Sequence, residues 1–243
     1  MTVPPLDATV VQQPTSPARL LVLVHGYGEP VEALTDRLAL LDPEGRHLVV
    51  APVAPFEHKG QAIWHRAMHA GEVADRQFRQ SIDALDDLLD RLEAEHDLPA
   101  AEAVVGGFSQ GGGLGIAMLL AADVRNRPAA AFGVCSFPPH IQGFRVDRAA
   151  AAGRRCLVVG AHEDHFAPIE VSRAGAVALR DAGLDLTWAE VTGRHVMTDE
   201  AASLAGRWLG SIDGGPPVED GSALLADVEG RGEYLAEMWD LVT

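Results

Sequence analysis

Cysteine is scarce in this 243-residue chain: only Cys135 and Cys156 occur. Two cysteines cannot make the disulfide framework of a small secreted scaffold. Both lie in apolar, strand-like runs and read as small buried residues. Positive charge is also in deficit, with 19 Lys and Arg against 35 Asp and Glu and a formal net charge of -16. That balance works against nucleic acid and against an anionic membrane surface, both of which attract basic residues. An acidic surface reads instead as a means of staying soluble. No apolar run reaches transmembrane length. The opening MTVPPLDATV has no basic stretch followed by an apolar one, so no signal peptide is expected. These absences describe a soluble, cytoplasmic protein without stable membrane insertion and without a nucleic-acid partner.

What is present alternates. Residues 1–18 hold Pro4, Pro5, Pro14 and Pro17 and read as an arm, with a short edge strand near Val10–Gln12. Continuous apolar runs, as in strands buried on both faces, lie at 19–25, 47–52, 102–107, 129–136, 155–161 and 184–191. Helical spacing separates them at 31–42, 72–96, 111–122, 170–182 and 198–209. In the longest helix Phe78, Ile82, Leu85, Leu89 and Leu92 share one stripe. The order predicts an α/β fold, a mainly parallel sheet flanked by helices over 19–210, without a large lid domain. The stretch 211–221 reads as a linker. Residues 222–243 read as a helical extension, packed on the domain or on a partner subunit in a homodimer.

The stretch VVGGFSQGGG (104–113) sets Ser109 between a buried strand and a buried helix, flanked by Gly107 and Gly111. A tight strand-to-helix turn needs small neighbours and holds a hydroxyl clear of the sheet. The phosphate-binding alternative lacks both the lysine of a P-loop and the G-x-G-x-x-G spacing. A base and an acid should follow in chain order. His195 stands in a polar loop after strand 184–191, where it could take the Ser109 proton. Glu163 and Asp164 both follow strand 155–161 as candidate acids. An oxyanion needs two donors. The backbone amide of Gln110 is one, and the Tyr27 amide in the glycine-bearing loop VHGYG (24–28) is the favoured second.

These stretches together resemble the phospholipase/carboxylesterase family of the α/β-hydrolase superfamily, which includes acyl-protein thioesterases. The matching segments are VHGYG (24–28), GFSQGG (107–112), GAHEDHFAP (160–168) and GRH (193–195). The resemblance covers roughly residues 18–210 and implies Asp164 as the acid, with oxyanion amides at Tyr27 and Gln110. It also implies an aromatic wall beside an acyl pocket, here Trp64. The chain departs from the family by continuing His65-Arg66 where an aromatic and an acid are usual. Phe166 replaces a small aliphatic residue and narrows the same pocket.

Two histidine groupings compete with this reading. HEDH (162–165) lacks the helical His-Glu-x-x-His spacing of a zinc peptidase, and His58, His65 and His69 lie between elements, where they could hydrogen-bond or line the pocket. Neither is taken as a metal site, and no cofactor is expected, since hydrolysis needs only water. The expected activity is a serine carboxylesterase, a serine hydrolase acting on short- to medium-chain esters through an acyl-serine. The partner would be a small ester or thioester. The alternatives are an acyl thioesterase or lysophospholipase, and a catalytically silent binding protein on the same fold.

Overall fold

The computed structural model describes residues 3–66, 71–228 and 239–242. A seven-stranded sheet runs in the order β1-β3-β2-β6-β7-β9-β10. Its strands are β1 (Ala8–Gln12), β2 (Leu20–Val24), β3 (Leu48–Pro52), β6 (Val104–Phe108), β7 (Ala130–Val134), β9 (Arg155–Ala161) and β10 (Asp185–Val191). Only the β1–β3 pairing is antiparallel. The short edge strand of the N-terminal arm therefore extends the sheet rather than standing off it. Every residue of β2, β3, β6 and β7 is buried, because helices cover both faces. That double burial explains why these strands are continuous apolar runs instead of alternating ones.

One face carries α3 (Glu72–His96), α4 (Gln110–Leu120) and α6 (Ile169–Asp181). Phe78, Ile82, Leu85, Leu89 and Leu92 of α3 all enter the core there. The other face carries α7 (Asp199–Ile212) against α2 (Leu38–Leu41). The segment 31–42 is not one helix: α1 (Glu32–Thr35) ends before α2 begins, and Leu34 and Leu41 are each buried. A small hairpin, β4 (Phe56–His58) with β5 (Gln61–Ile63), lies outside the main sheet. The remaining elements are β8 (Phe144–Asp147) and the single turn α5 (Arg148–Ala151). This is an α/β-hydrolase core, and no large lid insertion interrupts it among the described residues.

The stretch after α7 is tied down. Asp213 accepts a hydrogen bond from Arg19 at 2.8 Å, and Asp220 accepts one from the Trp188 N–H at 3.0 Å. Residues Ser222–Val228 form a 3₁₀ segment whose Leu225 and Val228 are buried in the main core. Residues 239–242 form a strand, β11, parallel to β8, and not the helix that apolar spacing predicts. An unpaired edge of β8 gives that segment backbone partners, which decides the matter over side-chain spacing. Tyr234, Leu235 and Met238, also read as helical, lie outside the described residues. Trp239 is buried, and its indole N–H donates to the Pro139 carbonyl at 2.9 Å.

Candidate active site

The parallel strands end on one edge of the sheet, and the chemically able side chains follow those ends. Ser109 comes directly after β6 and heads α4 with φ +51° and ψ −118°. A non-glycine residue held there is strained, a state maintained only by strong surrounding structure. Its N–H donates to Val134 O at 2.9 Å, and its carbonyl accepts from Ser136 Oγ at 2.8 Å. The flanking glycines answer to close backbone approach. A Cβ on Gly107 would lie 1.9 Å from Val24 O, and one on Gly111 2.0 Å from the same atom. Gly111→Ala is therefore expected to cost about 3 kcal/mol or more, or to leave no folded protein. A melting temperature close to the parent's would contradict this account of the turn.

His195, in the loop between β10 and α7, joins two of these strand ends. Its Nε2 lies 2.9 Å from Ser109 Oγ, and its Nδ1 lies 2.7 Å from Asp164 Oδ2. Asp164 is buried, and its Oδ1 accepts the N–H groups of Phe166 and Ala167, each at 2.8 Å. Three nitrogen contacts thus hold the carboxylate plane, which fixes the imidazole it faces. Glu163 points elsewhere, with its carboxylate 3.9 Å from Arg194. The rings of Phe108 and Phe166 pack on His195 with centroids 4.8 and 5.1 Å away.

A third group shares this pair. Cys135 follows β7, also at φ +51°, and is buried. The Cys135 thiol, an Asp164 oxygen and a His195 nitrogen all lie within 4.8 Å of one another. Burial pushes the thiol up to about 12. The Asp164 charge and a hydrogen bond to Asp164 act the same way, against the opposing Val196 N–H. The thiol is therefore neutral at pH 7 and donates toward the carboxylate. The sequence reads Cys135 as a small buried residue, and it is buried; its contact with Asp164 is what the sequence does not show. The available signal was its position, one residue past a strand that lies between β6 and β9. Cys156, by contrast, is enclosed by the core, and burial raises its thiol further.

This finding corrects the expectation of a serine carboxylesterase, a serine hydrolase working through an acyl-serine. The acid and base are not reserved to a hydroxyl. They form a cluster with a cysteine, and that centre suits the thioesterase alternative better than the serine-esterase reading.

A cavity of about 570 Å³ opens at this cluster, with Ser109, Cys135 and His195 in its lining. Tyr27 and Gln110 also line it. As the first residue of α4, Gln110 has an N–H without an acceptor in its own helix. The Gln110 side chain does separate work: Oε1 accepts from the Trp64 N–H at 3.3 Å, and Nε2 donates to His65 O at 2.8 Å. Phe166 lines the mouth and is 80% exposed. Trp64 does not line the cavity. It is fully buried in the core, where its indole N–H donates to His25 O at 2.9 Å. That bond satisfies the ring's polar edge and removes it from the pocket wall.

Two further residues line the cavity, of which Glu29 escaped sequence reading and His65 was among the histidines expected to hydrogen-bond or line a pocket. Glu29 accepts the Gly26 N–H at 3.2 Å, and burial raises its carboxyl above the usual range, opposed by that bond and by His195. His65, in the departure from the family pattern, lines the cavity beside Phe78 with ring centroids 5.2 Å apart. The other histidines are engaged separately. His58 Nδ1 lies 2.6 Å from the Tyr27 hydroxyl, and His162 Nε2 lies 3.3 Å from Glu190. His69 lies outside the described residues.

Fold and strand-end site together define an α/β hydrolase. The model of the phospholipase/carboxylesterase family matches residues 6–195, and the chain belongs to that family. Among solved structures it is similar to the Bacillus cereus carboxylesterase, at 18% identity over 85% of this chain and 93% of that one, TM-score 0.71. It is similar also to esterase PE8, at 21% identity over 86% and 99%, TM-score 0.69. Zea mays acyl-protein thioesterase 2 shares 17% identity over 84% and 98%, TM-score 0.64. At these identities the likeness is one of fold. A search of curated proteins gives no match. Among the described residues, no helix is long and apolar enough to cross a membrane.

Proposed function

We propose that the chain hydrolyses acyl thioesters. The observation that carries this reading is the Cys135–Asp164–His195 cluster, whose Cys135 and His195 line an apolar cavity. A thioester brings a large, polarisable sulfur to the reacting carbon, and sulfur packs well against aromatic rings and another sulfur. The proposed catalytic residues are Ser109, Asp164 and His195, with Cys135 positioning the carboxylate. The Tyr27 and Gln110 amides are the proposed oxyanion donors, and Phe166 bounds the substrate.

In the proposed reaction the attacking group passes its proton to His195 Nε2 as it bonds the carbonyl carbon. Asp164 stabilises the resulting imidazolium at Nδ1. The negative charge on the carbonyl oxygen meets the two amides. The C–S bond then breaks, and the imidazolium returns its proton to the leaving sulfur. Water, its proton taken by His195, then attacks the acyl carbon, and the bond to the attacking group breaks as His195 returns a proton to that group, which leaves a carboxylic acid and a thiol from a small-molecule thioester. The proposal includes a cytoplasmic setting, in keeping with two buried cysteines that are not bridged to each other.

The test is a thioester and an oxygen ester of the same acyl chain, compared on the parent and on Cys135→Ala. The parent is expected to favour the thioester, and Cys135→Ala to narrow the margin by several-fold. An identical margin in both proteins would remove Cys135 from the account.

A further inference from the structure

His65 is 5% exposed and lines the cavity. Its Nδ1 lies 2.6 Å from the Arg66 carbonyl, which can only accept, and a longer 3.4 Å from Gln110 Nε2, so the short contact puts the ring proton on Nδ1. Nε2 is then a lone-pair acceptor. It has no hydrogen-bond partner among the described residues, nor is it sealed away as a buried orphan atom. An acceptor of this kind in a wall of aromatic rings is costly unless something donates to it. Burial lowers the imidazole to about 4, against the raising effect of the Arg66 carbonyl. The acceptor therefore persists through the neutral range.

The geometry points to His65 Nε2 as a substrate-recognition acceptor, selecting acyl groups that carry a hydrogen-bond donor, a hydroxyl or an amide N–H, over plain alkyl chains. The acyl side follows from the shape of the cavity. Phe78, next to His65, is 3% exposed, whereas Phe166 at the mouth is 80% exposed. The departing thiol must pass the open rim, so the acyl group takes the enclosed end. Gln110 fixes the distance from this acceptor to the reacting centre, since its Nε2 donates to His65 O and its backbone adjoins Ser109.

This inference rests on the thioesterase reading for its reaction, though not for its binding. The test compares thioesters of equal length, one series alkyl and one carrying a hydroxyl at successive chain positions. They are assayed on the parent, His65→Leu and His65→Gln. Binding of the matching free acids is measured by calorimetry on the same proteins. At the best hydroxyl position the parent is expected to favour the hydroxyacyl substrate by about tenfold in kcat/KM, the effect of one buried hydrogen bond. His65→Gln, which retains an acceptor, should keep part of that preference, and His65→Leu should lose it or favour alkyl chains. A parent without preference, or an equal preference in all three proteins, overturns the inference. So does a preference that follows a hydroxyl on the leaving thiol instead of the acyl chain. If neither thioester is hydrolysed, the thioesterase reading fails, and the acid-binding ratios still decide whether His65 recognises the donor. Should His65→Leu fail to fold, the parent and His65→Gln ratios remain decisive.

Discussion

Replacing His195 with alanine is expected to lower thioester turnover at least ~100-fold while leaving the fold intact. The imidazole is the group that bonds the Ser109 hydroxyl and the Asp164 carboxylate at once, at 2.9 and 2.7 Å. Without it the attacking group keeps its proton, and nothing returns a proton to the leaving sulfur. The side chain stands in a loop and is only partly buried, so truncation leaves space at the cavity and no void in the main core. Circular dichroism and a melting curve on the same preparation separate loss of chemistry from loss of structure. Turnover within a few-fold of the parent in a folded variant would exclude His195 as the proton carrier.

The second large effect is expected at Asp164. Asp164→Asn should lose turnover by a factor approaching that of His195→Ala, whereas Glu163→Gln should stay within a few-fold of the parent. The amide of asparagine would present a donor or a weaker acceptor to Nδ1, which disfavours the tautomer with a free lone pair at Nε2. It would also leave the imidazolium without an opposing charge. Glu163 makes only a long contact with exposed Arg194, so its neutralisation touches neither effect. The comparison is informative because the two acids are adjacent in the chain. Steady-state kinetics on both variants check it, and a reversed order would reassign the acid.

Much of this molecule is legible in its sequence, for a physical reason. Strands buried on both faces must be apolar throughout, so β2, β3, β6 and β7 stand out as unbroken runs. In a parallel sheet the ends of such runs gather on one edge. Ser109, Asp164 and His195, far apart in sequence, were legible as one group on that basis. The same logic reaches Cys135, one residue beyond β7. Yet FGVC also reads as ordinary core sequence, and only the lateral order β6-β7-β9 brings the thiol to the carboxylate.

Other misreadings have local causes. The hairpin β4–β5 is two strands of three residues each, too short for any periodicity to register. Trp64 looked like a pocket wall because of its neighbours in sequence. Its place was settled instead by a donor needing an acceptor, which His25 O supplies inside the core. Trp239 shares apolar spacing with a helix, but an open strand edge at β8 captured it. His65 stands out in sequence only as one of three histidines able to hydrogen-bond or line a pocket, since a buried neutral imidazole and a solvated one look alike there.

The central claim, that this strand-end cluster serves thioester chemistry, is tested most directly by one ratio. It is kcat/KM for an acyl thioester divided by kcat/KM for the oxygen ester with the same acyl chain, measured on the parent protein and corrected for the uncatalysed hydrolysis of each. The account predicts a ratio well above one after that correction. A ratio at or below one, with the oxygen ester turned over readily, would contradict it.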